Sequence, residues 1–161
     1  MSELREAHDP APGASWFFCL RILGGRYAFE AGLVMEVVRL GPLTRLPSAP
    51  GFLPGVFTYR GEVLPVLDVN QLLGHKPVAI RAATRAAIVR SGPWKVAVLA
   101  EQIEGLLAVR REALEAPPAD AGAGAGPAEF LSAVTRDARG ELAILDLPRL
   151  VDAARSRSVP A

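Results

Sequence analysis

The chain is poor in the residues that most enzyme chemistry uses. Its 161 residues hold one cysteine, Cys19, and two histidines, His8 and His75. A single cysteine excludes an internal disulfide, and one cysteine with two widely separated histidines gives no zinc-ligand spacing. Cys19 sits in the apolar run WFFCLRIL and reads as a small hydrophobe, as expected in a reducing cytosol. Charge of one sign is also lacking: 18 basic residues stand against 17 acidic ones, leaving a net charge of +1. That excludes the excess positive charge that holds a nucleic-acid backbone or an anionic membrane without specificity. No apolar run approaches the ~18 residues of a membrane span. The first fifteen residues are polar, have no hydrophobic centre and read as a flexible tail, not a secretory signal. The chain is therefore expected to be soluble and cytoplasmic.

What is present is half apolar, enough for a substantial core in one domain or two small lobes. In Trp16 to Leu23, Trp16, Phe18, Leu20 and Ile22 share one face of an extended segment, with Phe17, Cys19 and Leu23 on the other. That pattern predicts a strand covered on both sides. Gly24-Gly25 turns it into a return strand at Arg26 to Phe29. Leu33, Val34, Val37 and Val38 recur at helical spacing around Glu36 and predict one or two helical turns. A proline-bearing loop follows at Leu46 to Gly51.

Val56 to Tyr59 and Val63 to Val69 are β-type runs, and Arg60-Gly61-Glu62 joins them as a hairpin. Pro65 lacks an N–H, so its strand lies at an edge or turns that side away from a neighbour. Asp68 is placed to cap a helical turn through Leu72 and Leu73 that Gly74 ends. A second hairpin is expected from Ala86 to Val89 and Val96 to Ala100, with its turn at Ser91 to Lys95. A third joins Phe130 to Val134 with Glu141 to Leu147. A closing helix buries Leu150, Val151, Ala153 and Ala154, with Asp146 as its cap and Pro148 in its first turn. The run PPADAGAGAGP, residues 117–127, is too poor in large side chains to pack and reads as a mobile loop.

Gly61-Glu62 followed by Leu67-Asp68-Val69 and Leu72-Leu73 recurs as Gly140-Glu141 followed by Leu145-Asp146-Leu147 and Leu150-Val151. Either two related lobes or chance similarity between two hydrophobic hairpins accounts for it.

No residue set points to catalysis. Gly122, Gly124 and Gly126 lack the spacing and the Gly-Lys-Ser/Thr ending of a phosphate loop. Ser91, Ser132 and Thr58 have no nucleophile-elbow context. Arg81, Arg85, Arg90, Arg110 and Arg111 are diluted by Glu101, Glu104, Glu112 and Glu115, so a mixed-charge surface is expected. Glu101 and Glu104 read as surface groups, not a glycosidase pair.

The stretch GVFTYRGEVLPVLDVNQLLG resembles the CheW family of chemotaxis coupling proteins in its glycine, Arg-Gly, valine, proline, Asp and leucine pattern. The likeness extends back through FFCLRILGGRYAFEAGLVMEVVRLGPLTRLPSAPGFLPG and forward to FLSAVTRDARGELAILDLPRLV, from Trp16 to Ala154. It departs from the pattern at Asn70, where many members carry a basic residue, at Glu101-Gln102, and in the AGAGAG insertion.

The resemblance implies an all-β fold: two small five-stranded antiparallel barrels, SH3-like and packed together, with short helices including one at the C-terminus. It divides the chain into a tail at 1–15, a CheW-like domain at 16–154 and a tail at 155–161. It also implies a non-enzymatic adaptor without cofactor or metal. Its partners would be the regulatory domain of a CheA-type histidine kinase and the cytoplasmic tips of chemoreceptors, the latter in an apolar groove between the lobes. By position, Glu36 and Arg60 match a charged pair near that groove, Val34 matches a groove-lining aliphatic, and Gly55 and Gly61 match backbone positions that admit no bulk. Arg60 as a plain turn arginine and Val34 as plain core remain alternatives. From other classes, a small-ligand-binding or enzyme-accessory β-barrel and, more remotely, a nucleic-acid-binding barrel also stay open.

Overall fold

A computed structural model describes residues 10–22, 25–118 and 128–158. Ten strands run in chain order: β1 (Ala14–Ile22), β2 (Gly25–Glu30), β3 (Val34–Arg39), β4 (Gly55–Tyr59), β5 (Glu62–Leu67), β6 (Arg85–Ser91), β7 (Trp94–Ala100), β8 (Gln102–Arg110), β9 (Leu131–Asp137) and β10 (Gly140–Leu145). Two α-helices, α1 (Val69–Leu72) and α2 (Leu147–Ser158), each follow the end of a hairpin.

The strands form two five-stranded sheets, ordered β8-β1-β2-β10-β9 and β3-β6-β7-β5-β4. Adding five to every label of the second order, counted around ten, reproduces the first. The chain therefore builds the same lobe twice, and the first sheet draws its strands from both ends of the sequence. Matching backbone bonds support the equivalence. Asp68 N–H donates to the Phe52 carbonyl and Asp146 N–H to the Phe130 carbonyl, each at 2.8 Å. The Gly-Glu and Leu-Asp echo is thus a repeat of structure.

Neither sheet is a closed barrel of continuous ladders. The edges approach at single antiparallel bridges, Thr44 to Val56 in one lobe and Glu115 to Val134 in the other. Nor is the pairing wholly antiparallel: β10 runs parallel to β2 and β5 parallel to β7. In each lobe a hairpin strand must join the end of an already paired strand, and the crossover fixes its direction.

Side-chain alternation sorts the apolar residues into three cores. Phe17, Cys19, Ala28, Val109, Leu142 and Ile144 fill the interior of the first lobe. Leu40, Phe57, Leu64, Val66, Ile88 and Leu99 fill the second. Phe18, Leu20, Tyr27, Phe29, Leu67, Val89, Val98 and the inner faces of α1 and α2 form the layer between them. Strand β1 is therefore buried on both faces, as its unbroken apolar run predicts. Burial of a side chain such as Phe18 or Phe29 contributes roughly 1.5–3 kcal/mol.

Pro65 resolves its alternative by register. It faces Val56 of β4 but pairing with β7 begins only at Val66, so its missing donor breaks no ladder bond. Asp68 accepts from Asn70 N–H at 3.1 Å and from Val78 N–H at 2.9 Å, capping α1 and pinning the chain beyond it. Asp146 accepts from Arg149 N–H at 3.1 Å at the start of α2.

Several expectations need correction. Val34 to Val38 form strand β3 after a 3-10 turn at Ala31–Leu33. Their β-branched side chains favour the pleated conformation, and the helical spacing was coincidental. Ala14 and Ser15 open β1, so the first tail ends earlier than residue 15, and α2 continues through Ser158, so no tail begins at 155. The expected turn glycine Gly24 and residues 119–127 of the glycine-rich loop lie outside the described residues. Among the described residues no helix is long and apolar enough to cross a membrane.

Candidate functional site

The hairpin β4–β5 carries the charged pair. Tyr59 and Glu62 close it, and both intervening residues have positive φ, +48° at Arg60 and +81° at Gly61. This is the turn whose twist suits a two-residue hairpin. Arginine in that conformation costs about 1–2 kcal/mol, and contacts around its side chain offset the cost. Arg60 Nη2 lies 3.0 Å from Glu36 Oε2, and Tyr59 donates its hydroxyl to the same carboxylate oxygen. The Arg60 guanidinium also stands over the Tyr59 ring, 5.5 Å from its centroid. Burial, followed by the bond to Glu36, pushes the Tyr59 phenol above its ordinary range.

The structure therefore brings together Glu36 and Arg60, from strands distant in sequence, and adds Tyr59. Exposure is unequal: the Arg60 side chain is 70% exposed and that of Glu36 12%. The pair presents a guanidinium outward and holds its counter-charge beneath.

Val34 stands at the start of β3, opposite Val89 of β6. It is half-buried and packs against the layer between the lobes, as do Leu33 and Val37 from its own segment and Ile103 and Leu106 from β8. These five aliphatics rim the junction of the lobes. Gly55 sits where β4 bridges to Thr44; a Cβ there would collide with the Thr44 carbonyl oxygen and approach Leu43 Cγ to 3.0 Å. Gly61 differs. A Cβ there would meet nothing within 4 Å, so the constraint is backbone conformation and not lack of space.

A second ionic cluster, not anticipated from sequence, stands at the β9–β10 hairpin of the other lobe. Arg26 of β2 donates through Nε to Glu104 at 3.0 Å and through Nη1 and Nη2 to Asp137 at 2.7 and 3.0 Å. Its side chain is 5% exposed. Arg21 adds a bond to Glu104 at 3.1 Å, and Arg139 approaches it at 4.0 Å. Glu104 is thus the anchor of a network, with 11% of its side chain exposed, and not the surface group that its sequence context suggests. The hydrogen bond from Arg26 is the largest cause holding the Asp137 carboxyl below its usual range. No local spacing links these residues; the pairing of β1 with β2 and β8, of β10 with β2 and of β9 with β10 does.

Cys19 is buried in the first lobe, and desolvation, with Glu104 next, pushes its thiol up to about 11, the opposite of a reactive thiolate. Asn70 is buried in α1, and its side-chain nitrogen has no hydrogen-bond partner. Among the described residues no group of three or more His, Cys, Asp or Glu is arranged to hold a metal.

With this geometry in view, the chain matches the family model described as CheW-like domain over residues 17–155. It is 35% identical over 145 residues to protein FrzA of Myxococcus xanthus, covering 89% of each chain. It is 26% identical over 133 residues to chemotaxis protein CheW of Treponema pallidum, covering 77% of this chain and 74% of that one. Among solved structures it is similar to the crystal structure of scaffolding protein TtCheW from Thermoanaerobacter tengcongensis, with a TM-score of 0.74 and 20% identity, covering 88% of this chain and 89% of the other. That last likeness bears on the fold.

Proposed function

The chain belongs to the CheW-like domain family, and on that footing we propose that it is a non-enzymatic adaptor of a chemotaxis-like signalling array. It joins the cytoplasmic tips of chemoreceptors to the regulatory domain of a CheA-type histidine kinase. Its work is cytoplasmic, at receptor arrays to which it is recruited by those partners. The relative named as a chemotaxis protein supports this reading.

The observation that carries the site is the Glu36–Arg60 pair, whose carboxylate stands on the same strand, β3, as the junction aliphatics Val34 and Val37. Leu33, Val34 and Val37 on one lobe and Ile103 and Leu106 on the other offer partly buried apolar surface to which the stripe of an amphipathic receptor helix is suited. Arg60 at the rim sets orientation more than affinity, because an exposed pair contributes only about 0.2–1 kcal/mol. Gly55 keeps β4 close to the Thr44 segment, and Gly61 lets the turn project Arg60.

The test is Arg60→Glu. The variant is expected to retain the wild-type circular dichroism spectrum and melting temperature within a few degrees. Its capture of a receptor cytoplasmic fragment together with the kinase regulatory domain should fall about tenfold or more. Undiminished assembly by a folded variant removes Arg60 from the site.

A further inference from the structure

Tyr59 occupies a place in the Arg60 site that neither its sequence position nor the family pattern assigns. Glu36 is largely withdrawn from water, and a carboxylate so placed needs donors in exchange for its lost hydration. Two converge on its Oε2, the Tyr59 hydroxyl and Arg60 Nη2. Tyr59 and Arg60 are consecutive, and consecutive side chains of an extended strand point to opposite faces. They reach one oxygen because the chain turns left-handed at Arg60, which swings the guanidinium back over the Tyr59 ring. Hydroxyl, carboxylate and guanidinium close a small ring of contacts. Its base is the tilted packing of Tyr59 on Phe57, with ring centroids 6.5 Å apart.

We infer that Tyr59 is a positioning residue of the partner-binding site: its hydroxyl fixes Glu36, and Glu36 with the aromatic ring fixes the direction in which Arg60 presents its free N–H groups. The inference rests on the proposed role of Arg60 in partner contact. Its physical content is preorganisation. A long exposed arginine that is already ordered loses less freedom on binding than one that must be ordered by the partner. Arg60 is held from two sides although most of its side chain is in water.

The variant Tyr59→Phe keeps the ring, hence the packing on Phe57 and the contact beneath the guanidinium, and removes only the hydroxyl. Its melting temperature should stay within a few degrees of wild type, while its dissociation constant for the receptor–kinase assembly rises about three- to tenfold. In a Glu36→Ala background the same change should add less than about twofold, because the acceptor through which the hydroxyl acts is gone. A second readout needs no partner. The chain has only two tyrosines, Tyr27 and Tyr59, so phenolate absorbance on alkaline titration resolves both, with Tyr59→Phe assigning them. Glu36→Gln should bring the Tyr59 midpoint down toward the ordinary phenol value, since a hydrogen bond to a carboxylate favours the neutral phenol. An unmoved midpoint overturns the hydrogen bond and the inference with it. Wild-type affinity in Tyr59→Phe, with Arg60→Glu impaired, overturns the positioning role and leaves the site standing. Wild-type affinity in both variants overturns the proposed site itself.

Discussion

Replacing Glu104 by glutamine removes the shared anchor of the buried ionic cluster while preserving its shape. Glu104 accepts from Arg26 at 3.0 Å and from Arg21 at 3.1 Å. The bond to Arg26 is the larger loss, because that guanidinium is 5% exposed, and a hydrogen bond to a charged group contributes about 1.5–3 kcal/mol. Arg21 is more than one-third exposed, so its share is screened to about 0.2–1 kcal/mol. Arg26 keeps both bonds to Asp137, and its charge is not orphaned. The full loss of about 3–5 kcal/mol expected for a stranded buried charge therefore does not apply. The expected destabilisation is about 2–3 kcal/mol, or roughly 4–12 °C in melting temperature for a chain of this length. Urea unfolding followed by tryptophan fluorescence measures it. The double variant Arg26→Met, Glu104→Met should remain destabilised, since Asp137 then loses both of its bonds from Arg26. A Glu104→Gln protein within about 0.5 kcal/mol of wild type would show that the cluster contributes geometry without stability and would refute the reasoning.

The two glycines of the candidate site should fail for different reasons. Gly55→Ala must push aside the Thr44 carbonyl, costing about 1–3 kcal/mol, and should weaken amide-exchange protection at Thr44 and Val56, which share two backbone bonds. Gly61→Ala meets open space and should cost only about 1–2 kcal/mol through its positive φ, with Gly61→Asn milder still by thermal melting. Asp137 supplies the acid limb of stability. Its folded carboxyl is held below the unfolded value, so its contribution is present above the ordinary aspartate range and is lost as pH falls through the depressed folded value. Melting temperatures below about pH 4 should therefore fall less steeply in Asp137→Asn, already weakened at pH 7, than in wild type.

What sequence carries well here is local. The Arg60-Gly61 turn, the Asp68 and Asp146 caps, and the two-sided burial of β1 follow from neighbours in the chain, and the structure contains each. The echo of Gly-Glu and Leu-Asp was legible because both copies use the same capped turn after a hairpin strand. Val34 to Val38 misled because a register shift between Val34 and Glu36 turns Val34 and Val37 to one face of a strand, as a helix would, and only pairing with β6 distinguishes the two. The contacts of Glu104 with Arg26, and of Arg26 with Asp137, span 78 and 111 residues. Nothing in the periodicity of β8 marks its glutamate as buried; the neighbouring strands supply the arginines. Tyr59 was hidden for a related reason, since its hydroxyl acquires a role only when β3 places Glu36 across from the hairpin.

The permuted strand order has a bearing on synthesis. The lobe made of β3 to β7 is one uninterrupted stretch, complete once Ala100 has emerged from the ribosome. The other lobe opens with β1 and β2 but lacks its remaining three strands, β8, β9 and β10, until Leu145 is out, so its two earliest strands wait for three that follow the finished lobe. A nascent chain interrupted after residue 100 would display the double-sided apolar ribbon of β1 beside a finished neighbour, a state that chaperones and degradation machinery are equipped to notice.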